Sequence, residues 1–344
     1  MIYSGRLLIF FSVIVYHRHD SLRVSHEETN MHSPDSNAIK IEGLTKEYNG
    51  LTALDKIDLD VGEGEFFGLL GPNGAGKTTT INILSGLCNK TAGDVQLFGH
   101  DLIQEYRECR RNVGLVPQEF NFDQFARLLD MLVFQGGFFG IPNHECKSRS
   151  IELLRKFDLI DKADTQLRHL SGGMKRRAII MRALVHKPRL LILDEPTAGV
   201  DVDLRKSLWS FLRELHSAGT TILLTTHYLE EAETLCDRIA IIDHGRIVAD
   251  DSTRNLVNKL NRESIIVTTM AEISEDVIGM LKQYNPAISG DRHELTLSFA
   301  RGDSDFDSML RRMMEVDIRI ASIRPVDNRL EQVFLQLTRG NSGP

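Results

Sequence analysis

No apolar run reaches the roughly 18 residues that a membrane-spanning helix requires. Cysteine is scarce: Cys88, Cys109, Cys146 and Cys236 stand far apart, with no C-x-x-C pair. That spacing indicates neither a zinc site nor a disulfide framework, and it fits a reducing cytosol. Excess positive charge is missing as well. The 41 Lys and Arg face 48 Asp and Glu, a formal net charge of −7, which removes the global electrostatic case for wrapping nucleic acid. There is no internal repeat and no low-complexity segment. What is present is ordinary globular composition, 42% hydrophobic and 26% charged, over 344 residues. That is enough for one large or two ordinary domains with a sizeable core.

The nearest approach to a membrane segment is LLIFFSVIVY, Leu7 to Tyr16, after Arg6 and before HRHD. It resembles the apolar part of a signal peptide, but no small-x-small cleavage site follows. Residues 1–37 are therefore expected to be disordered or a mis-extended start, with Met31 as the initiator; a membrane-touching segment is the alternative. His17, His19, His26 and His32 show no ligand spacing and read as tail.

Folding pattern begins near Ala38. AIKIEGLTKEYNGLTALDKIDLDV alternates apolar and polar residues around an Asn49-Gly50 turn, the signature of a hairpin. EFFGLL, DVQLFG and NVGLVPQ read as further strands, with a helix over Lys77 to Gly86. Between about 121 and 170 the apolar spacing becomes helical, as in Phe125, Leu128, Leu129, Leu132 and Val133. Gly136-Gly137 and Gly140-Ile141-Pro142 should break this helical insert into pieces. RLLILDEP, TTILLTTH and RIAIIDHG are short apolar runs separated by helices, the mark of parallel strands buried on both faces. From about 261 the texture changes: SIIVTT, ELTLSF and DIRIASI suggest a small α+β domain over 261–344. LEQVFLQL closes it with Leu330, Val333, Phe334 and Leu337 on one helical face. The main domain is then 38–260.

Several stretches carry chemistry. GPNGAGKT, Gly71 to Thr78, fits G-x-x-x-x-G-K-[ST] after a strand and before a helix, the context that motif needs. Gly71, Pro72, Asn73, Gly74, Ala75, Gly76, Lys77, Thr78 and Thr79 should cradle a nucleotide's phosphates. Lys77 is expected at the β- and γ-phosphates and Thr78 on Mg²⁺. LLILDEP ends in Asp194 and Glu195, whose side chains leave a strand in opposite directions. Asp194 is then placed for the Mg²⁺ shell and Glu195 for general-base work on water. His227 ends another strand of the same sheet, on the side where ligands bind. Gln118 in VPQE can reach Mg²⁺ or water. Tyr48, at the hairpin turn, is either an adenine-stacking ring or an ordinary turn aromatic. In LSGGMKRR, Ser171, Gly172 and Gly173 precede a helix, a second anion-binding device. Lys175-Arg176-Arg177 is left open, as a solvated helix face or as one that complements phosphate charge.

Taken in order, GPNGAGKTT, VPQE, LSGGMKRR, LLILDEP, AGVD and TTHYLEE resemble the ATPase subunits of ABC transporters over about 38–260. The flavour of VPQEFNF, LSGGMKRR and DEPTAGVD is closest to ABC-2 type exporters. The resemblance implies a P-loop ATPase cassette: a parallel sheet core with an antiparallel β subdomain, a helical insert and a small C-terminal accessory domain. It makes Tyr48 the adenine-stacking aromatic, Gln118 the link between γ-phosphate, Mg²⁺ and the membrane subunit, and Glu195 the general base. Asp201 would address the opposite subunit and His227 the γ-phosphate. It further implies ATP and Mg²⁺ as ligands and a head-to-tail homodimer that sandwiches two ATP molecules. A separate integral permease, itself holding this chain at the cytoplasmic face of the inner membrane, completes the picture. Met174 replaces the family's usual glutamine, which leaves Ser171 and both glycines intact. Two other readings carry less. DNA- or ribosome-acting relatives have a long coiled coil or two cassettes per chain, and Lys77 to Ser171 holds no sustained heptads. A non-hydrolysing regulatory module would not be expected to keep Lys77, Asp194, Glu195 and His227 together.

Overall fold

The computed structural model describes residues 37–119, 122–259, 262–290, 292–300, 303–315, 319–325, 330, 333 and 334. The expectations for residues 1–36, and for most of the closing LEQVFLQL helix, lie outside the described residues.

Strands β1 (Asn37–Tyr48) and β2 (Leu51–Gly62) form the hairpin read from the alternation. Asn49 and Gly50 both have positive φ, 48° and 87°, as a two-residue turn between twisted strands requires. Next comes β3 (Phe66–Leu70), buried at every residue, and then α1 (Lys77–Leu84). Strands β4 (Ala92–Leu97) and β5 (His100–Asp101) extend the hairpin into an antiparallel sheet of order β2-β1-β4-β5. Helix α2 (Tyr106–Asn112) and strand β6 (Val113–Val116) lead to the helical insert, α3 (Leu128–Phe138) and α4 (Asn143–Lys156). The chain returns through α5 (Gly172–Leu184), β7 (Leu190–Asp194), α6 (Val202–Ser217), β8 (Thr221–Thr225), α7 (Leu229–Leu235), β9 (Arg238–Asp243), β10 (Arg246–Ser252) and α8 (Thr253–Lys259).

The six-stranded sheet has the order β10-β9-β3-β8-β7-β6, parallel except for β10. Its central strands β3, β8 and β7 are buried at every residue because both faces are covered, while β10 at the edge (RIVADDS) is polar and part-exposed. Phe66 and Leu70 join Leu191, Leu193, Ile222 and Leu224 in one core, against the helices. Phe67 and Leu69, one residue out of phase, join Leu190, Ile192 and Leu223 in a second core shared with the antiparallel sheet. The strand order sets β3, β8 and β7 side by side, so the loops after them share one rim.

Gly136 and Gly137 do not break the insert. Both lie inside α3, which ends at Phe138; Gly140 (φ 73°) lies in the turn beyond it, ahead of Pro142. Close approach explains the first of them: a Cβ on Gly136 would overlap the Sγ of Cys146 in α4. Phe125 does not share the buried face of Leu128 and Leu132; it precedes α3 and is exposed.

The C-terminal part comprises β11 (Arg262–Thr269), α9 (Glu275–Met280), β12 (Ala287–Ile288), β13 (Glu294–Ala300), α10 (Asp303–Glu315) and β14 (Ile320–Pro325). Its antiparallel sheet runs β12-β13-β11-β14 and has an apolar cluster of its own, including Val267, Leu295, Leu297, Met309 and Met313. Leu330 and Phe334 instead pack into the core of the large sheet. Among the described residues, no helix is long and apolar enough to cross a membrane.

Candidate functional site

The loop from Gly71 to Thr79 leaves β3 and enters α1. Its turn depends on Gly74 (φ 82°) and Gly76 (φ 115°), conformations open to glycine. A Cβ on Gly76 would also come within 2.7 Å of Leu54 Cδ2 and 3.0 Å of the Ala53 carbonyl. Ala75 N–H donates to the Pro72 carbonyl and braces the loop from inside. Lys77 is buried, and its Nζ donates to the carbonyls of Gly71 (2.7 Å) and Pro72 (3.1 Å). Burial lowers its pKa below the usual lysine value, with Glu195 and Asp194 working in the opposite sense. Asn73, Gly74 and residues 76–79 line one side of a cleft of about 510 Å³. Gln118, Glu195 and His227 line the other.

Those three residues come from the ends of β6, β7 and β8. Glu195 Oε2 accepts a hydrogen bond from Gln118 Nε2 at 3.2 Å and lies 3.1 Å from His227 Nδ1. Glu195 has φ 47°, an uncommon conformation for a residue with a side chain. Its N–H is held by the Thr225 carbonyl at 2.9 Å. Asp194 sits one residue earlier, buried, opposite Thr225 in the β7–β8 register. The Thr225 hydroxyl donates to Asp194 Oδ1 at 2.6 Å. Burial raises the Asp194 pKa, and that hydrogen bond offsets part of the rise. The two neighbouring carboxylates thus occupy different environments: one anchored in the sheet, one in the cleft.

The donor set suits Mg²⁺. A threonine hydroxyl (Thr78), an amide oxygen (Gln118) and a single carboxylate (Asp194) are hard oxygen ligands, and Mg²⁺ takes the rest of its shell from water and phosphates. Among the described residues, no cluster of three or more His, Cys, Asp and Glu could hold a metal by itself.

Tyr48 stands beside the cleft rather than in its lining. Its hydroxyl contacts Cys88 Sγ at 3.2 Å and the Thr79 side chain, and Lys46 Nζ lies 4.5 Å from its ring centre. Ser171, Gly172, Gly173 and Asp201 line no part of the cleft. Ser171 caps α5, its Oγ accepting from Met174 N–H at 3.3 Å. Asp201 caps α6, accepting from Leu204 N–H at 2.8 Å. A Cβ on Gly173 would come within 2.6 Å of Leu204 Cδ2, so the two helix N-termini are neighbours. A Cβ on Gly172 would meet nothing within 4 Å. The N-terminus of α5 is therefore open at Gly172 and apart from the lining of the phosphate-loop cleft.

The KRR tail is not a solvated face. Arg176 is buried, and its guanidinium donates to the carbonyls of Pro117 (2.9 Å), Gln118 (3.2 Å), Asp194 (3.4 Å), Glu195 and Pro196. Arg177 donates to the Phe157 carbonyl at 2.7 Å. The signal was present in the spacing: 176, 179, 180 and 183 fall on the buried stripe of α5. Charge argued for solvent, and the cluster of carbonyls at the end of that stripe could not be seen without the fold.

Comparison with known proteins finds a family model described as ABC transporter that matches residues 54–198. The linearmycin resistance ATP-binding protein of Bacillus subtilis is 36% identical over 304 residues, 87% of this chain and 98% of that protein. The daunorubicin/doxorubicin resistance ATP-binding protein of Streptomyces peucetius is 38% identical over 312 residues, 90% of this chain and 94% of that one. The Nod factor export ATP-binding protein I of Cupriavidus metallidurans is 37% identical over 310 residues, 87% and 97% of the two chains. Among solved structures, a dimeric ATP-binding cassette in a post-hydrolysis state bound to ADP and Pi is similar with a TM-score of 0.58 and 28% identity. The match covers 63% of this chain and 99% of that one.

Proposed function

The chain belongs to the ABC transporter family of ATP-binding proteins, and from that membership we propose that it is the ATPase of an exporter, working as a head-to-tail dimer beneath a separate integral permease. The observation that carries this reading is the separation of the two anion devices. Gly71–Thr79 shares its cleft with Gln118, Glu195 and His227, while the N-terminus at Ser171, Gly172 and Gly173 opens elsewhere. A second copy, turned head to tail, supplies to each cleft the device that its own chain keeps apart from it.

In that arrangement the loop N–H groups and Lys77 hold the ATP phosphates, and Tyr48 stacks on the adenine. Water attacks the γ-phosphorus, ADP leaves, and Glu195 takes the proton of the attacking water. Gln118 and His227, both on the Glu195 carboxylate, fix its direction. Ser171, Gly172 and Gly173 of the facing copy bind the γ-phosphate, and Asp201 meets that copy at the same seam. Thr78, Asp194 and Gln118 would hold Mg²⁺, which neutralises phosphate charge when bound. Closed dimers bind ATP better than open ones, so hydrolysis shifts the population back toward open.

The permease reading rests on the relatives named for resistance and export, and on the helical insert. Phe134 and Phe138 are 70% and 72% exposed, edge to face at 4.8 Å, over a groove of about 520 Å³ with Val133 and Ile141. Rings left exposed in this way mark a contact surface. A membrane protein seated there would hold the chain at the cytoplasmic face of the inner membrane.

Gly172→Asp tests the dimer. The site is open, so the side chain fits without strain, and its charge opposes phosphate at the helix N-terminus. ATP affinity of the isolated subunit should persist, while hydrolysis and ATP-driven dimerisation disappear. Equal loss of ATP binding by the isolated subunit would refute the in-trans reading.

A further inference from the structure

Arg176 lies five positions after Ser171, about 7.5 Å along the same helix. Its guanidinium has five N–H donors in a fixed plane, and here every nitrogen of that fork faces backbone carbonyls. They belong to two loops. Pro117 and Gln118 lie after β6; Asp194, Glu195 and Pro196 lie at the end of β7 and just beyond it. The side chains of those same loops, Gln118 and Glu195, meet in the cleft at 3.2 Å. One arginine therefore sits beneath the pair that faces the reacting phosphate, and it belongs to the helix whose N-terminus is the other anion device.

Glu195 sharpens the point. Its left-handed backbone is costly for a non-glycine residue and persists only where the surroundings hold it. It is held at both ends, the N–H by the Thr225 carbonyl and the carbonyl by Arg176. Arg176 itself shares the buried stripe of α5 with Ile179, Ile180 and Ala183, so it moves with that helix. Packed helices of this kind shift as units rather than deform.

We propose that Arg176 is the positioning residue that couples the two nucleotide sites of the dimer: it carries the position of α5, set by the nucleotide on Ser171–Gly173, to the backbone of Gln118 and Glu195 in its own chain's cleft. This rests on the head-to-tail reading above. It adds that each site senses the other through the protein interior, along one helix and one guanidinium. Arg176 touches no substrate.

The test uses full-length protein and two substitutions, Arg176→Lys and Glu195→Gln. Lysine keeps the charge, but its single ammonium cannot span five carbonyls in two loops. Glu195→Gln provides the reference for ATP-driven dimerisation, measured by sedimentation velocity. Steady-state hydrolysis against ATP concentration then gives turnover and the Hill coefficient of R176K, and equilibrium dialysis gives ATP affinity. R176K is expected to bind ATP like the parent and, combined with E195Q, to dimerise with ATP. Its turnover should fall about 10²-fold through misplaced catalytic groups. Its Hill coefficient should drop from near 2 toward about 1 as the coupling between sites is lost. Parent-like turnover and Hill coefficient would overturn the proposal. So would loss of ATP binding, or of the cooperative melt, together with turnover, since that pattern assigns Arg176 to fold maintenance alone. Failure of E195Q to dimerise with ATP would sink the head-to-tail reading itself, and the coupling with it.

Discussion

Replacing Glu195 by Gln separates binding from chemistry in this site. The amide has the carboxylate's shape, and its oxygen can still accept from Gln118 Nε2, now at 3.2 Å, or from the His227 ring, now 3.1 Å away. It cannot take a proton from water. Losing a positioned general base costs about 10²–10⁴-fold in rate, or about 3–5 kcal/mol of barrier. Nucleotide binding should move the other way. A carboxylate about 5 Å from the γ-phosphate, at an effective dielectric near 20, repels it by about 3 kcal/mol. Screening in an open cleft reduces this to about 1–2 kcal/mol, so E195Q should bind ATP roughly tenfold more tightly. The assays are phosphate release under saturating ATP and sedimentation velocity with and without ATP. The expected result is turnover near background with a stable ATP-bound dimer. Hydrolysis at the parent rate would refute Glu195 as the base. Weaker ATP binding would refute the electrostatic argument, because it would make the carboxylate a ligand rather than a repelling neighbour.

Two further outcomes follow from the packing. Gly136→Ala should destabilise the helical insert by about 1–3 kcal/mol through overpacking against Cys146, read by denaturant melts, with ATP affinity unchanged because no cleft residue moves. Glu231 is fully buried, with Trp209 Nε1 at 3.0 Å and the Thr197 hydroxyl at 3.1 Å donating to it. Burial raises its pKa above the usual 4.5 despite those bonds. A raised carboxyl binds more protons folded than unfolded, so its contribution is full below the unfolded pKa and is lost as pH rises through the folded value. The stability difference between the parent and E231Q should therefore shift toward E231Q as pH rises from about 4.5; a difference flat across that window would contradict the direction of the shift.

The parallel strands of the large sheet were legible because each is a short apolar run, and the hairpin because Asn49-Gly50 admits so few conformations; the polar edge strand β10 carries no such run and was not legible. The loop at Gly71–Thr79 was legible because its chemistry is local: glycine spacing, a lysine and a threonine in one turn. Gly136-Gly137 misled because glycine is read as a helix breaker, while here it buys close contact with Cys146, a neighbour invisible in the local sequence. Arg176 misled because its charge outweighed its place in the buried stripe.

Motif spacing and periodicity by themselves determined the layers of this protein, the glycine-rich loop and the helix that starts after Ser171, since these depend on residues within a few positions of one another. Tertiary structure alone decided what meets across distance. Gln118 and Glu195 are 77 positions apart and touch only because strand order brings β6 and β7 together. The five carbonyls around Arg176, and the separation of Ser171–Gly173 from the cleft, likewise follow from how the helices pack on the sheet. Local backbone preference is written in neighbouring residues; convergence of distant side chains is set by topology and packing, which no short stretch of chain contains.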